Sequence, residues 1–156
     1  MFIVCRRGRI ESLQVDEDSR LTPLSFDENI SSLSAILLNE EYYEFLKNGR
    51  MIIDGIPILA PTYIIPFKAK AWLDLSERKK GGEHVDSKNI KKHKNDVFRM
   101  SVFLTEGEKV EINEEVRKDM EKFLDAIKEE KIDLKSIGMK EIEYDEVIEL
   151  LQSTYL

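Results

Sequence analysis

Two periodicities divide the chain. Up to about residue 60, short apolar runs are parted by turn residues, and all four prolines lie before residue 67; beyond it, apolar positions recur at helical spacing among lysines and glutamates. Phe2 to Arg6 and Ile10 to Val15 predict short strands around an Arg7-Gly8-Arg9 turn, and Met51 to Ile53 with Ile56 to Leu59 predict a hairpin about Asp54-Gly55. Leu33 to Leu38 is a compact apolar run, open to either a buried strand or the start of a helix. Asn39 then caps a helix with Glu40 and Glu41 in its first turn and Gly49 at its end. Thr62 is expected to cap a helix reaching about Lys80, with Pro66 tolerated near the first turn and Gly81-Gly82 as its stop. Asp86 or Ser87 caps a second helix to about Leu104. Asn113 caps a third, in which Val116, Met120, Phe123, Leu124 and Ile127 form one stripe that reads as purely structural. Tyr144, Val147, Ile148 and Leu151 give a final amphipathic helix after Gly138. The expected fold class is α+β, a small N-terminal sheet with hairpins followed by a helical part. It forms a single domain over residues 1–156, strand-rich in 1–60 and helical in 61–156.

Composition narrows the class of molecule. A chain of 156 residues buries roughly 70% of the surface it exposes unfolded. With 42% apolar and 35% charged residues, it is a globular domain with an ionised surface, not a disordered chain. No apolar run approaches the roughly 18 residues of a membrane span, and the basic residues after Met1 follow the apolar ones, the reverse of a signal peptide, so no membrane partner and a cytoplasmic address are expected. Cys5 is the only cysteine, which excludes an internal disulfide and a cysteine-rich zinc site.

Charge is unevenly spread. Residues 61–104 hold ten basic against five acidic side chains, while 1–60 hold six against ten and 105–156 hold eight against sixteen, within a net charge of -7. A basic middle suits a local site for a phosphate-bearing ligand, or a set of solvated helix faces; an acidic chain is a poor candidate for nonspecific DNA binding. Projected at about 100° per residue from Ile64, the helix after Thr62 gathers Ile65, Phe67, Ala71, Trp72 and Leu75 on one face, with Lys68 inside it at about 40°. A lysine there must snorkel to the rim or meet a carboxylate or phosphate. Lys70 points away and reads as a surface charge. From Ile90, the next helix gathers Val97, Phe98, Met100 and Leu104, with Lys94 near about 40° and His93 near about 300°. His84 and His93 lack the spacing of a metal site, and Gly81-Gly82 lacks the lysine and hydroxyl of a P-loop. Asp16-Glu17-Asp18 has a two-carboxylate spacing but reads as an exposed acidic turn. No metal ligand is assigned.

The segments SLSAILLNEEYYEFLKNG, IIDGIPILAPTYIIPFKAKAWLDL and DSKNIKKHKNDVFRM, which lie between Leu33 and Leu104, resemble the second half of AbiEii-like bacterial nucleotidyltransferases in the polymerase-beta-like superfamily. The resemblance covers a little under half of the chain. It implies an α+β fold in which a small sheet carries catalytic carboxylates and the following helices close a nucleotide site. It implies nucleotide-binding roles for Lys68, matching the embedded lysine near the triphosphate, and for Lys94 and Asp96, matching the later basic-then-aspartate helix. It also implies nucleoside triphosphate as ligand and Mg²⁺ as the ion that neutralises charge, if the activity persists. The family's Gly-Ser turn and paired aspartates have no counterpart before Ser31, so catalytic residues are unassigned and the chain is expected to be a truncated or noncatalytic relative. The alternative is a protein-interaction or regulatory module, of the kind that partners in a toxin-antitoxin pair, with no nucleotide ligand.

Overall fold

A computed structural model describes residues 36, 39–130 and 132–156. The expected strands Phe2 to Arg6 and Ile10 to Val15, the turn between them and the Asp16 to Asp18 turn lie outside the described residues. So does most of Leu33 to Leu38, of which Ile36 is helical and buried. The described chain runs through helix α1 (Glu40–Asn48), strands β1 (Arg50–Ile53) and β2 (Ile56–Leu59), and helices α2 (Pro61–Lys80) and α3 (Ser87–Met100). A 3-10 turn (Ser101–Phe103), helix α4 (Glu114–Glu129), a second 3-10 turn (Leu134–Ile137) and helix α5 (Tyr144–Tyr155) follow. The class is α+β, and the described residues are mostly helical with one two-stranded antiparallel sheet.

The hairpin forms where its turn residues demand it. Asp54 and Gly55 both take positive φ, 50° and 76°, which is the conformation of a type I′ loop and matches the twist of the strands it joins. Arg50 then pairs with Leu59 and Ile53 with Ile56. The Ala60 amide donates to the Gly49 carbonyl at 2.9 Å and closes the base. Gly49 is required there by space: an added Cβ would lie 2.2 Å from Cγ of Tyr63, whose ring stacks on Phe45.

Helix starts follow their caps. Asn39 Oδ1 accepts from the Tyr42 amide and Asn113 Oδ1 from the Val116 amide. Each asparagine also reaches the other helix: Asn39 Nδ2 donates to Glu115 Oε1 at 2.7 Å, and Asn113 Nδ2 to the Glu41 carbonyl at 2.9 Å. Two caps therefore tie the N-termini of α1 and α4 together. The cap of helix α2 is Ala60 and not the expected Thr62, two residues later, because Pro61 is preorganised for the first helical position and holds Ala60 extended as the cap residue. Helix α3, capped by Asp86, ends at Met100 and not at Leu104; the chain tightens into a 3-10 turn in which the Ser101 hydroxyl donates to the Phe98 carbonyl at 2.7 Å.

Pro66 lies in the second turn of α2, where its missing N–H leaves the Thr62 carbonyl, four residues back, without its helical donor. The hydroxyl of Tyr155, at the far end of α5, donates to that carbonyl. Helix α2 is the hub: it packs most extensively on α3 and next on α4. Around it Ile65, Phe67, Ala69, Ala71 and Trp72 are buried with the α4 stripe Val116, Met120, Phe123, Leu124 and Ile127. Trp72 meets Phe123 edge-on at 5.4 Å between ring centroids. Among the described residues no helix is long and apolar enough to cross a membrane.

Candidate functional site

Lys68 projects from α2 toward α3, and its Nζ donates to Asp96 Oδ2 at 3.0 Å. Both side chains are about 20% exposed, so the lysine has met a carboxylate at a partly dry seam instead of reaching out along the surface. Arg99 Nη1 approaches the other Asp96 oxygen at 3.6 Å. One turn before Asp96, His93 is half-buried; burial first, and the Lys68 ammonium second, hold its pKa below the usual histidine value. Its Nδ1 is buried with no hydrogen-bond partner.

Lys94 takes a different direction. It stands above the Trp72 ring, with Nζ 6.0 Å from the centroid, and donates to Glu130 Oε2 at 2.6 Å at the C-terminal end of α4. It lines a cleft of about 720 Å³ where the second half of α2, the stretch of α3 from Ser87 to Asn95, and Glu130, Ile132, Asp133 and Ser136 meet. Neither Lys68 nor Asp96 lines that cleft. The three residues singled out from sequence thus divide: Lys68 and Asp96 come together, and Lys94 joins a neighbouring cavity. Asn95, 8% exposed, also lines the cleft, and its Oδ1 has no hydrogen-bond partner. Sequence reasoning passed over it because a single asparagine between two charged residues carries no periodic signal.

Lys70 corrects the expectation of a surface charge. Its Nζ lies 3.1 Å from Asp119 Oδ2 and 3.3 Å from Asp74 Oδ1, and Asp119 also accepts from the Tyr42 hydroxyl at 3.1 Å. The Asp119 side chain is 7% exposed. Burial disfavours the Lys70 ammonium, but Asp119 and Asp74 outweigh it and raise its pKa; burial raises Asp74 as well, and drives the Tyr42 phenol far upward. Asp119 also shows that α4 is more than an apolar stripe.

Among the described residues no three His, Cys, Asp or Glu side chains cluster as metal ligands, so the Mg²⁺ that the resemblance implies finds no donor set there. No protein-family model, curated protein or solved structure matches the chain.

Proposed function

We propose that this chain is a nucleotidyltransferase-like domain that provides the helical, nucleotide-facing half of such an enzyme, in a noncatalytic form. One observation supports it above the rest. The lysine and the aspartate singled out in two separate segments of the resemblance, 28 positions apart, meet at 3.0 Å across the α2–α3 seam. In this reading Lys68 exchanges Asp96 for a triphosphate oxygen, Asp96 keeps the ammonium aimed until the ligand arrives, and Lys94 adds positive potential nearby. Calorimetry with a nucleoside triphosphate at low and high salt tests it. We expect weak, salt-sensitive binding that is lost in the Lys68→Ala, Lys94→Ala double variant; binding unchanged in that variant, or no heat at low salt, overturns the reading. Label transfer from a radiolabelled triphosphate is expected to be absent with Mg²⁺ or Mn²⁺.

The second reading, an interaction module without nucleotide, is favoured by a different feature. The β1–β2 hairpin exposes Ile52 at 65%, Ile56 at 50% and Ile53 at 48%, apolar surface of the kind that a partner protein covers. A nucleotide-free pull-down that loses its partner on Ile52→Lys, with no triphosphate binding at any salt, would replace the first reading by the second.

A further inference from the structure

The cleft beside Lys94 is separate from the Lys68–Asp96 pair and has a chemistry of its own. Its volume, about 720 Å³, falls within the range of small-molecule sites. Four lysines line it, Lys79, Lys80, Lys91 and Lys94, against the carboxylates of Glu130 and Asp133. Asp133 is engaged in capping its own 3-10 turn, where Oδ1 accepts from the Lys135 amide. Lys79 donates to the neutral Ser87 hydroxyl, which leaves its charge uncompensated, and Lys80 and Lys91 make no ion pair among the described residues. The cleft therefore favours an anion.

Two further features restrict that anion. The lysines are joined by an apolar wall of Trp72, Ile90 and Ile132, which a free inorganic ion would leave uncovered. Asn95 is more than nine-tenths buried, yet its Oδ1 lacks a donor, which a satisfied interior amide would have. The Oδ1 position is itself buried, so the carboxamide can meet a ligand only through its other end, and because a half-turn about χ2 exchanges oxygen and NH2, that end can serve as donor or acceptor to one group of a ring. The Lys94 side chain is only 15% exposed while that of its partner Glu130 is 61% exposed, so Glu130 is the exchangeable member of the pair and a phosphate can take its place.

We infer that this cleft binds a small organic phosphate with a planar ring that carries a hydrogen-bonding edge, the chemistry of a nucleoside monophosphate: phosphate at Lys91 and Lys94, ring on the apolar wall against Asn95. The site deepens the nucleotide reading above by adding a second nucleotide position that does not use Lys68. The probe is AMP, with inorganic phosphate and adenosine as separate arms, followed by NMR at the indole of Trp72, the chain's one tryptophan, and at the Asn95 carboxamide. These signals report the cleft itself, whereas the Lys68 reading is scored by triphosphate calorimetry on the single variant Lys68→Ala, which leaves Lys94 and the cleft intact, so either can fail alone. We expect AMP to shift both signals more strongly than either fragment. Glu130→Gln, which frees Lys94 at an exposed position, should bind about two- to fivefold more tightly, and Lys91→Ala more weakly by a similar factor. Asn95→Leu, which removes an unpaired buried amide, should retain the fold and lose the preference of AMP over phosphate. No shift at either signal, phosphate matching AMP in the native chain, or no tightening in Glu130→Gln overturns the inference.

Discussion

The two flanks of α2 handle buried charge in opposite ways. Toward α1 and α4, Lys70, Asp74, Asp119 and Tyr42 form a closed set in which every donor at the centre has an acceptor within about hydrogen-bond reach. Toward α3, Lys68 is paired with Asp96, which Arg99 also approaches, and Lys94 with Glu130, while His93 Nδ1 and Asn95 Oδ1 are left without partners. A low-dielectric interior strengthens a completed network and penalises an incomplete one. The first flank thus reads as scaffold, and the second as the side where a ligand has something to complete.

The largest effect should come from breaking the closed flank. Asp119→Ala removes the acceptor shared by Tyr42 and Lys70, orphaning a hydroxyl on a fully buried tyrosine and leaving Lys70 with the half-exposed Asp74 alone. We expect a loss of about 3 kcal/mol in urea unfolding, because removing one member of a buried pair strands the other. The equivalent change on the open flank, Asp96→Ala, should cost clearly less, since both partners there keep some contact with water. Equal costs on the two flanks would erase the distinction between them.

A smaller loss should follow Tyr155→Phe. That hydroxyl is the donor supplied to the Thr62 carbonyl, which Pro66 leaves bare, and the tyrosine that carries it is 1% exposed. We expect about 1 kcal/mol of destabilisation, the net worth of one part-buried hydrogen bond. Restoring the missing amide by Pro66→Ala in the same chain should recover part of it, and a Tyr155→Phe chain as stable as the native one would show that the bond contributes nothing.

These two networks mark the limit of what the sequence discloses. The caps Asn39, Asp86 and Asn113, the Asp54-Gly55 turn and the α4 stripe are local signals, set within a few residues by hydrogen-bond chemistry and helical period, and the structure follows them. Lys70 was misplaced because a single-face projection assumes one packing partner, whereas α2 is covered by α3 on one side and α4 on the other. Tyr155 and Thr62 meet across 93 positions and Tyr42 and Asp119 across 77, separations at which no periodicity survives. In the candidate site, helical projection alone flagged Lys68 and its need for an anion. Its partner Asp96 was named through a family resemblance, and Asn95 gave no sign at all.

The smallest effect is a pH dependence confined to the open flank. His93 has its pKa lowered from 6.5 by burial and then by Lys68, with Lys92 adding to Lys68 and Asp96 opposing them. The folded chain therefore prefers neutral His93, and the unfolded chain binds more protons as pH falls below the ordinary histidine value. The sign follows from linkage: stability is full above that value and declines as pH drops through the window between it and the lowered native pKa. Urea midpoints measured from neutral pH down to about pH 5 should fall in the native chain and fall less in His93→Gln. Lys68→Met, which removes the second cause but not the first, should lie between the two. An identical slope in all three chains would mean that His93 is solvated in both states, and the unfilled Nδ1 would then no longer separate this flank of α2 from the other.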